Sequence, residues 1–183
     1  MNKESLIWTI AGFLAGFGFY FIFQNLKQNP PDNPKPAAQV NNFVECAAVY
    51  PVMESYPRQC NAPDGKHFVE DIGNANGLSD LIVVDSPRPG DTVKSPLAIS
   101  GNARGNWYFE ASFPVKIVDA NDQQLGIIPA QAQGEWMTEN FVPFNAVLEF
   151  TAPTTPTGSL ILQKDNPSGL PENNNQLAIP VKF

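Results

Sequence analysis

At 183 residues with a net charge of −7 and a pI of about 4.6, the chain has room for one domain of ordinary size with smaller additions, and is too acidic to lie along a phosphate backbone. Apolar residues make up 43% and charged ones 16%, which suits a packed core and argues against disorder. The 18 prolines and 13 glycines favour short strands and turns over long helices.

The first element in chain order is Leu6–Phe23, an uncharged run. As a helix its length is about 27 Å at 1.5 Å per residue, close to the roughly 30 Å hydrocarbon core of a bilayer. Only a helix satisfies its own backbone groups in lipid. The apolar region of a cleaved signal peptide is about 7–15 residues long and ends in a small-residue site, whereas this run closes on Tyr20, Phe21, Ile22 and Phe23. The expectation is an uncleaved single-pass anchor in the cell membrane, with the lipid bilayer as its partner, the N-terminus cytoplasmic and the body extracytoplasmic. Flanking charge does little to set that orientation, because Lys3 before the run faces Lys27 and Lys35 after it. The outward body rests on the short N-terminal tail and on the cysteines. Gly12 and Gly16 form a G-x-x-x-G, read either as a face for weak helix–helix self-association or as the small residues common in such helices.

Residues 24–41 hold Pro30, Pro31, Pro34 and Pro36 and read as a Pro/Asn/Gln-rich tether. Residues 42–79 read as a small module containing Cys46 and Cys60, the two cysteines of the chain. An even pair behind an export-type segment reads as a disulfide, with two free thiols or a redox pair as the alternative. Closing a loop of about 15 residues is worth roughly 3 kcal/mol on the chain-entropy model. Asp64-Gly65 marks a turn before a short strand at Lys66–Val69. The braced loop holding Met53, Tyr56 and Arg58 reads either as a plain staple or as an inhibitor-like binding loop. The Gly/Asn-rich stretch 71–79 makes the next boundary.

From Asp80 onward, short apolar runs are cut by turn residues. Strands are expected at Leu81–Asp85, Pro96–Gly101, Trp107–Phe113, Val115–Asp119, Leu125–Ala132, Phe144–Thr151, Leu160–Gln163 and Leu177–Phe183. Val147 and Phe150 fall out of phase, which suggests a bulge. Seven or eight strands at about 10-residue spacing over residues 80–183 point to an all-β, immunoglobulin-like sandwich of about seven strands. It holds no cysteine pair of its own.

Three segments, SPRPGDTVKSPLAISGNARGNWYFEASFPVKIVD, GEWMTENFVPFNAVLEF and KDNPSGLPE, followed by a terminal strand, closely resemble the Gmad2 domain. That is an immunoglobulin-like domain of bacterial spore-germination and related surface proteins, and the resemblance covers Leu81 to Phe183. It implies a non-catalytic sandwich on an exported protein.

The remaining chemistry is sparse. His67 is the single histidine and lies outside the sandwich, so a Ser-His-Asp or Cys-His site lacks its parts. Glu110, Glu135, Glu139 and Glu149 leave open a hydrolase with an unrecognised acid pair. Asp119, Asn121 and Asp122 read as a hairpin turn or as a weak calcium site, the turn offering about three of the six or more oxygens that calcium takes. No cofactor is implied. Arg104, Trp107 and Trp136 belong to an aromatic-rich signature that reads either as sandwich core or as a groove for sugar or peptide. Asn166, Ser168 and Leu170 sit in a long loop suited to be a binding tip. The sum is an anchored, non-enzymatic binding or scaffold protein of the bacterial envelope that contacts an envelope protein or a cell-wall polymer. An inhibitor acting through loop 46–60 and the acid-pair hydrolase are its rivals.

Overall fold

The structure, a computed structural model, describes residues 38–183. The expected anchor at Leu6–Phe23, with Gly12 and Gly16, lies outside the described residues. Among the described residues no helix is long and apolar enough to cross a membrane.

Val40–Phe183 forms one compact unit. It begins with a short helix α1 (Phe43–Ala47) and three small strands, β1 (Val52–Met53), β2 (Gln59–Asn61) and β3 (His67–Val69), paired in the order β1-β2-β3. Helix α1 is set by a reciprocal cap: the Asn42 side chain accepts from Glu45 N at 2.9 Å, and Glu45 accepts from Asn41 N at 2.8 Å. Its Cys46 bonds to Cys60 on β2, with the Cα atoms 6.1 Å apart. Around that bridge Val40 and Ala62 join the cysteines as buried hydrophobic residues. A second brace ties β2 to the end of β3. Glu70, only 8% exposed, pairs with the Arg58 guanidinium and also accepts from Arg58 N at 3.2 Å.

Seven strands follow: β4 (Ile82–Ser86), β5 (Leu97–Arg104), β6 (Ser112–Asp119), β7 (Gln124–Ala132), β8 (Phe141–Leu148), β9 (Thr157–Gln163) and β10 (Gln176–Lys182). They pair in the order β10-β9-β6-β7-β8-β5-β4. The β7–β8 link is short, only Gln131↔Asn145 and Ala132↔Phe144, so the ribbon folds there into two layers, β4-β5-β8 and β10-β9-β6-β7. Period-2 burial drives this. In β8 the even-numbered residues Val142, Phe144, Ala146 and Leu148 are buried and their neighbours exposed. The two layers share one core, with Ile82, Ile99 and Leu148 from the first and Ile117, Leu160 and Ile179 from the second. Phe113 stands edge-on to both Tyr108 and Phe144, with centroids 5.2 and 5.0 Å away. Gly101 makes room for this group, since a Cβ there would lie 2.6 Å from the Phe144 ring.

Three expectations change. Trp107–Phe113 is not a strand: Gly105–Trp107 is a 3₁₀ turn, and Glu110 and Ala111 take positive φ of 49° and 61°, which breaks extended backbone before β6. The strand expected at Phe144–Thr151 begins at Phe141 and ends at Leu148 without a bulge, and Phe150 lies beyond it. The stretch 71–79 also does more than separate two parts. Ile72 and Ala75 are buried in the sandwich core and Leu78 packs against it.

That same stretch finishes the outer edge of β10. The Asn74 side chain accepts from Ala178 N and donates to Gln176 O, both at 2.8 Å. The Ala178 carbonyl accepts from Asn74 N, the Pro180 carbonyl from Gly90 N, and Lys182 exchanges bonds with Asp91 O and Val93 N. Pro180 has no N–H to leave open, so this edge offers no template for another strand.

Candidate binding site

Strand direction decides what meets what. The connections β5–β6 (105–111), β7–β8 (133–140) and β9–β10 (164–175) all emerge at one end of the sandwich. They are tied together through the backbone: Gly105 N donates to Asn140 O at 3.2 Å, and Asp165 N to Trp107 O at 3.0 Å. Gly105 is required here, because a Cβ would sit 1.9 Å from the Thr138 carbonyl oxygen. The six residues singled out as a binding surface all belong to this end, but they do not form one surface.

Arg104 is half-buried and acts as a clamp. Its Nε donates to Asp80 O at 2.9 Å and its Nη1 to Glu139 O at 3.1 Å, while the guanidinium lies 4.3 Å from the centre of the Phe141 ring. Trp107 is fully buried and is not available to a ligand; it fills the core beneath the loops, and its indole N–H has no hydrogen-bond partner among the described residues. Its neighbour Tyr108 donates its hydroxyl to Val142 O at 2.7 Å, and burial pushes that hydroxyl up to a pKa of about 12. Trp136 is half-buried against the core, while Met137 beside it is 76% exposed. Asn166, Ser168 and Leu170 lie in the third loop, which is built by its own side chains. The Asn166 amide donates to Leu170 O and Asn174 Oδ1, and Ser168 donates to Asn166 and accepts from Asn173. Ser168 and Leu170 are exposed at its tip.

Beside this loop lies a cleft of about 520 Å³, lined by Gln163, Lys164, Asp165, Asn174, Asn175 and Gln176 over Pro114. Sequence reasoning passed it over. The run of three asparagines and a glutamine at 173–176 was a signal for it, but the four residues read as loop composition. A larger cleft of about 640 Å³ lies between the disulfide module and the sandwich, where Phe43, Val44 and Val69 face Pro89, Pro180 and Val181.

The Asp119 turn lies at the opposite end. Asp119 is buried, and its Oδ1 accepts from Asn121 N at 2.9 Å and Gln123 N at 3.0 Å, while Oδ2 accepts from the Thr154 hydroxyl. The Thr154 bond is the first cause that holds this carboxyl below its ordinary value, followed by the backbone donors. Asn121 and Asp122 are exposed, and Asp122 takes the left-handed φ of 60° that a tight turn needs. Both carboxylate oxygens of Asp119 are thus occupied by protein donors, and no group of three His, Cys, Asp or Glu gathers among the described residues. His67 Nδ1 lies 2.7 Å from Asn61 Oδ1, on the outer side of the small module.

Residues 81–169 match the Gmad2 domain, described as the immunoglobulin-like domain of bacterial spore germination. The match takes in the first two loops of the shared end and stops within the third. Strand β10, which lies beyond it, completes the second layer of the same sandwich. No curated protein and no solved structure matches the chain. On a rigid sandwich the loops are the least regular part, which is where contacts to partners concentrate.

Proposed function

We propose that this protein is a non-catalytic binding or scaffold protein of the bacterial envelope. In this reading Leu6–Phe23 holds it in the membrane, and the loop end of its Gmad2 domain contacts an envelope protein or a cell-wall polymer outside the cytoplasm. The observation that carries the reading is the convergence of three loops, distant in sequence, on one end of a rigid sandwich, where backbone hydrogen bonds join them. The Cys46–Cys60 bridge supports the outward placement, since disulfides persist in oxidising compartments.

The test uses the full chain in its own membrane. A photo-crosslinking residue at Ser168 should give adducts with an envelope component, and the same residue at Asn121, at the opposite end, should give none. Absence of adducts at Ser168, or equal adducts at both ends, refutes the loop end as the contact. Trypsin added to cells stripped of their outer layers should remove the body while a membrane stub remains; a protected body refutes the orientation.

A further inference from the structure

We infer that the amide-rich cleft beside the 164–175 loop is a glycan site, taking an uncharged, polyhydroxylated chain across the outer face of the β10-β9-β6-β7 layer. This rests on the binding role proposed above and names its ligand class. The loop's own architecture consumes Asn166 and Ser168 in internal hydrogen bonds. By contrast, the side chains of Gln163, Lys164, Asp165 and Gln176 line the cleft and make no hydrogen bond or ion pair with any described residue. A primary amide sets a donor beside an acceptor, a carboxylate accepts and an ammonium donates. Sugar hydroxyls both donate and accept, in adjacent pairs, so this set meets them in either sense.

Strand register continues the cleft into a platform. Gln176 stands opposite Gln163, and Pro114 opposite Pro129, while Lys116 lies between Ile161 and Ile127. A second hollow of about 240 Å³ shares Pro114 and Asp165 with the cleft and extends over Ile127 and Pro129, which face outward on either side of the core-packed Ile128. Ile127 is 53% exposed. The outer face therefore passes from amides to an apolar shelf. A pyranose ring has the matching division, with hydroxyls around its rim and C–H groups on its faces.

Other ligand classes fit less well. Anionic polymers meet a chain of net charge −7, with one lysine beside one carboxylate in the cleft. An added peptide strand finds the β10 edge already hydrogen-bonded by Asn74, Gly90 and Asp91. A protein partner centres on buried aromatic anchors, and no aromatic residue lines this cleft.

The test uses the full-length chain in detergent, with two probes: protein-free sacculi stripped of anionic polymers, and a β-1,4-linked N-acetylglucosamine tetramer. The chain should co-sediment with sacculi, and the tetramer should give a saturable calorimetric titration. The double variant Gln163→Ala/Gln176→Ala should weaken both by about tenfold, the loss of a few hydrogen bonds. Asn121→Ala should change neither. Both glutamine side chains lie on the outer face without partners, so thermal melts should match the parent; if they fall, Asp165→Asn gives the same reading with volume conserved. No co-sedimentation and no titration, or binding unmoved by these variants, overturns the inference. If Ser168 still crosslinks to a protein while sacculi and tetramer are ignored, the binding role stands and the glycan assignment alone is lost.

Discussion

The disulfide module and the sandwich are stabilised by different means. Among the described residues, twenty-three buried hydrophobic residues share the sandwich core, while the separate cluster around the disulfide holds four, two of which are the cysteines of the bridge. A fully buried large apolar side chain contributes about 1.5–3 kcal/mol, so the sandwich stands on packing. The module has too little apolar burial to do so and depends on its covalent tie and on the part-buried Arg58–Glu70 pair. Each region should therefore fail through a different kind of damage.

The largest effect is expected in the sandwich. Phe144→Ala removes the ring that Gly101 accommodates and Phe113 meets edge-on, at a cost of about 3–5 kcal/mol. A denaturant titration followed by tryptophan emission should show it, and a loss under 1 kcal/mol would mean that the core tolerates the gap. Reduction of Cys46–Cys60 comes next, at roughly 3 kcal/mol for a loop of this size. With dithiothreitol, trypsin should cut after Arg58 and Lys66 while β4–β10 survive as a resistant fragment. Collapse of that fragment on reduction would break the comparison, because it would make the staple part of the sandwich's own stability. Glu70→Gln leaves the half-buried Arg58 without its carboxylate and should cost about 1–3 kcal/mol. The loss should appear as faster hydrogen exchange in β2 and β3, and an unchanged exchange pattern would reduce the ion pair to decoration.

Much of this division is legible in the sequence itself. Short apolar runs bounded by turn residues placed Leu177–Phe183 within a residue of β10 and Leu81–Asp85 within a residue of β4. The pattern failed where backbone conformation overrides side-chain type. Trp107–Phe113 has the composition of a strand, yet Glu110 and Ala111 turn left-handed, which periodicity does not register. Helix α1 carries its cap in plain view as Asn42 and Glu45, but five residues are too few for a helical stripe. Ile72, Ala75 and Leu78 are diluted by Gly and Asn, so composition marked a boundary where the fold inserts a plug. The candidate site divides in the same way. Residue chemistry picked out Arg104, Trp136 and Ser168 one at a time. Their arrival at a common end is a property of strand direction, and only topology supplies it.

The smallest expected effect concerns the end of the sandwich opposite the loops. Hydrogen bonds from Thr154, Gln123 and Asn121 hold the Asp119 carboxyl below its ordinary value of 3.8. A carboxyl depressed in the folded state binds its proton more readily in the unfolded chain. Its contribution is therefore complete above the ordinary carboxyl range and is lost as pH falls through the lower folded value. Asp119→Asn replaces an acceptor with a donor that faces the Thr154 hydroxyl or the two backbone N–H groups. Urea midpoints of parent and variant should lie furthest apart at pH 7 and converge on acidification, and a gap that stays constant with pH would remove the charge from the explanation. Millimolar calcium should leave both midpoints in place, because the oxygens it needs already accept from the protein. A calcium-dependent rise in the parent that Asp119→Asn abolishes would turn the turn into a metal site, and would make this end of the sandwich, like the module, a region held by something other than packing.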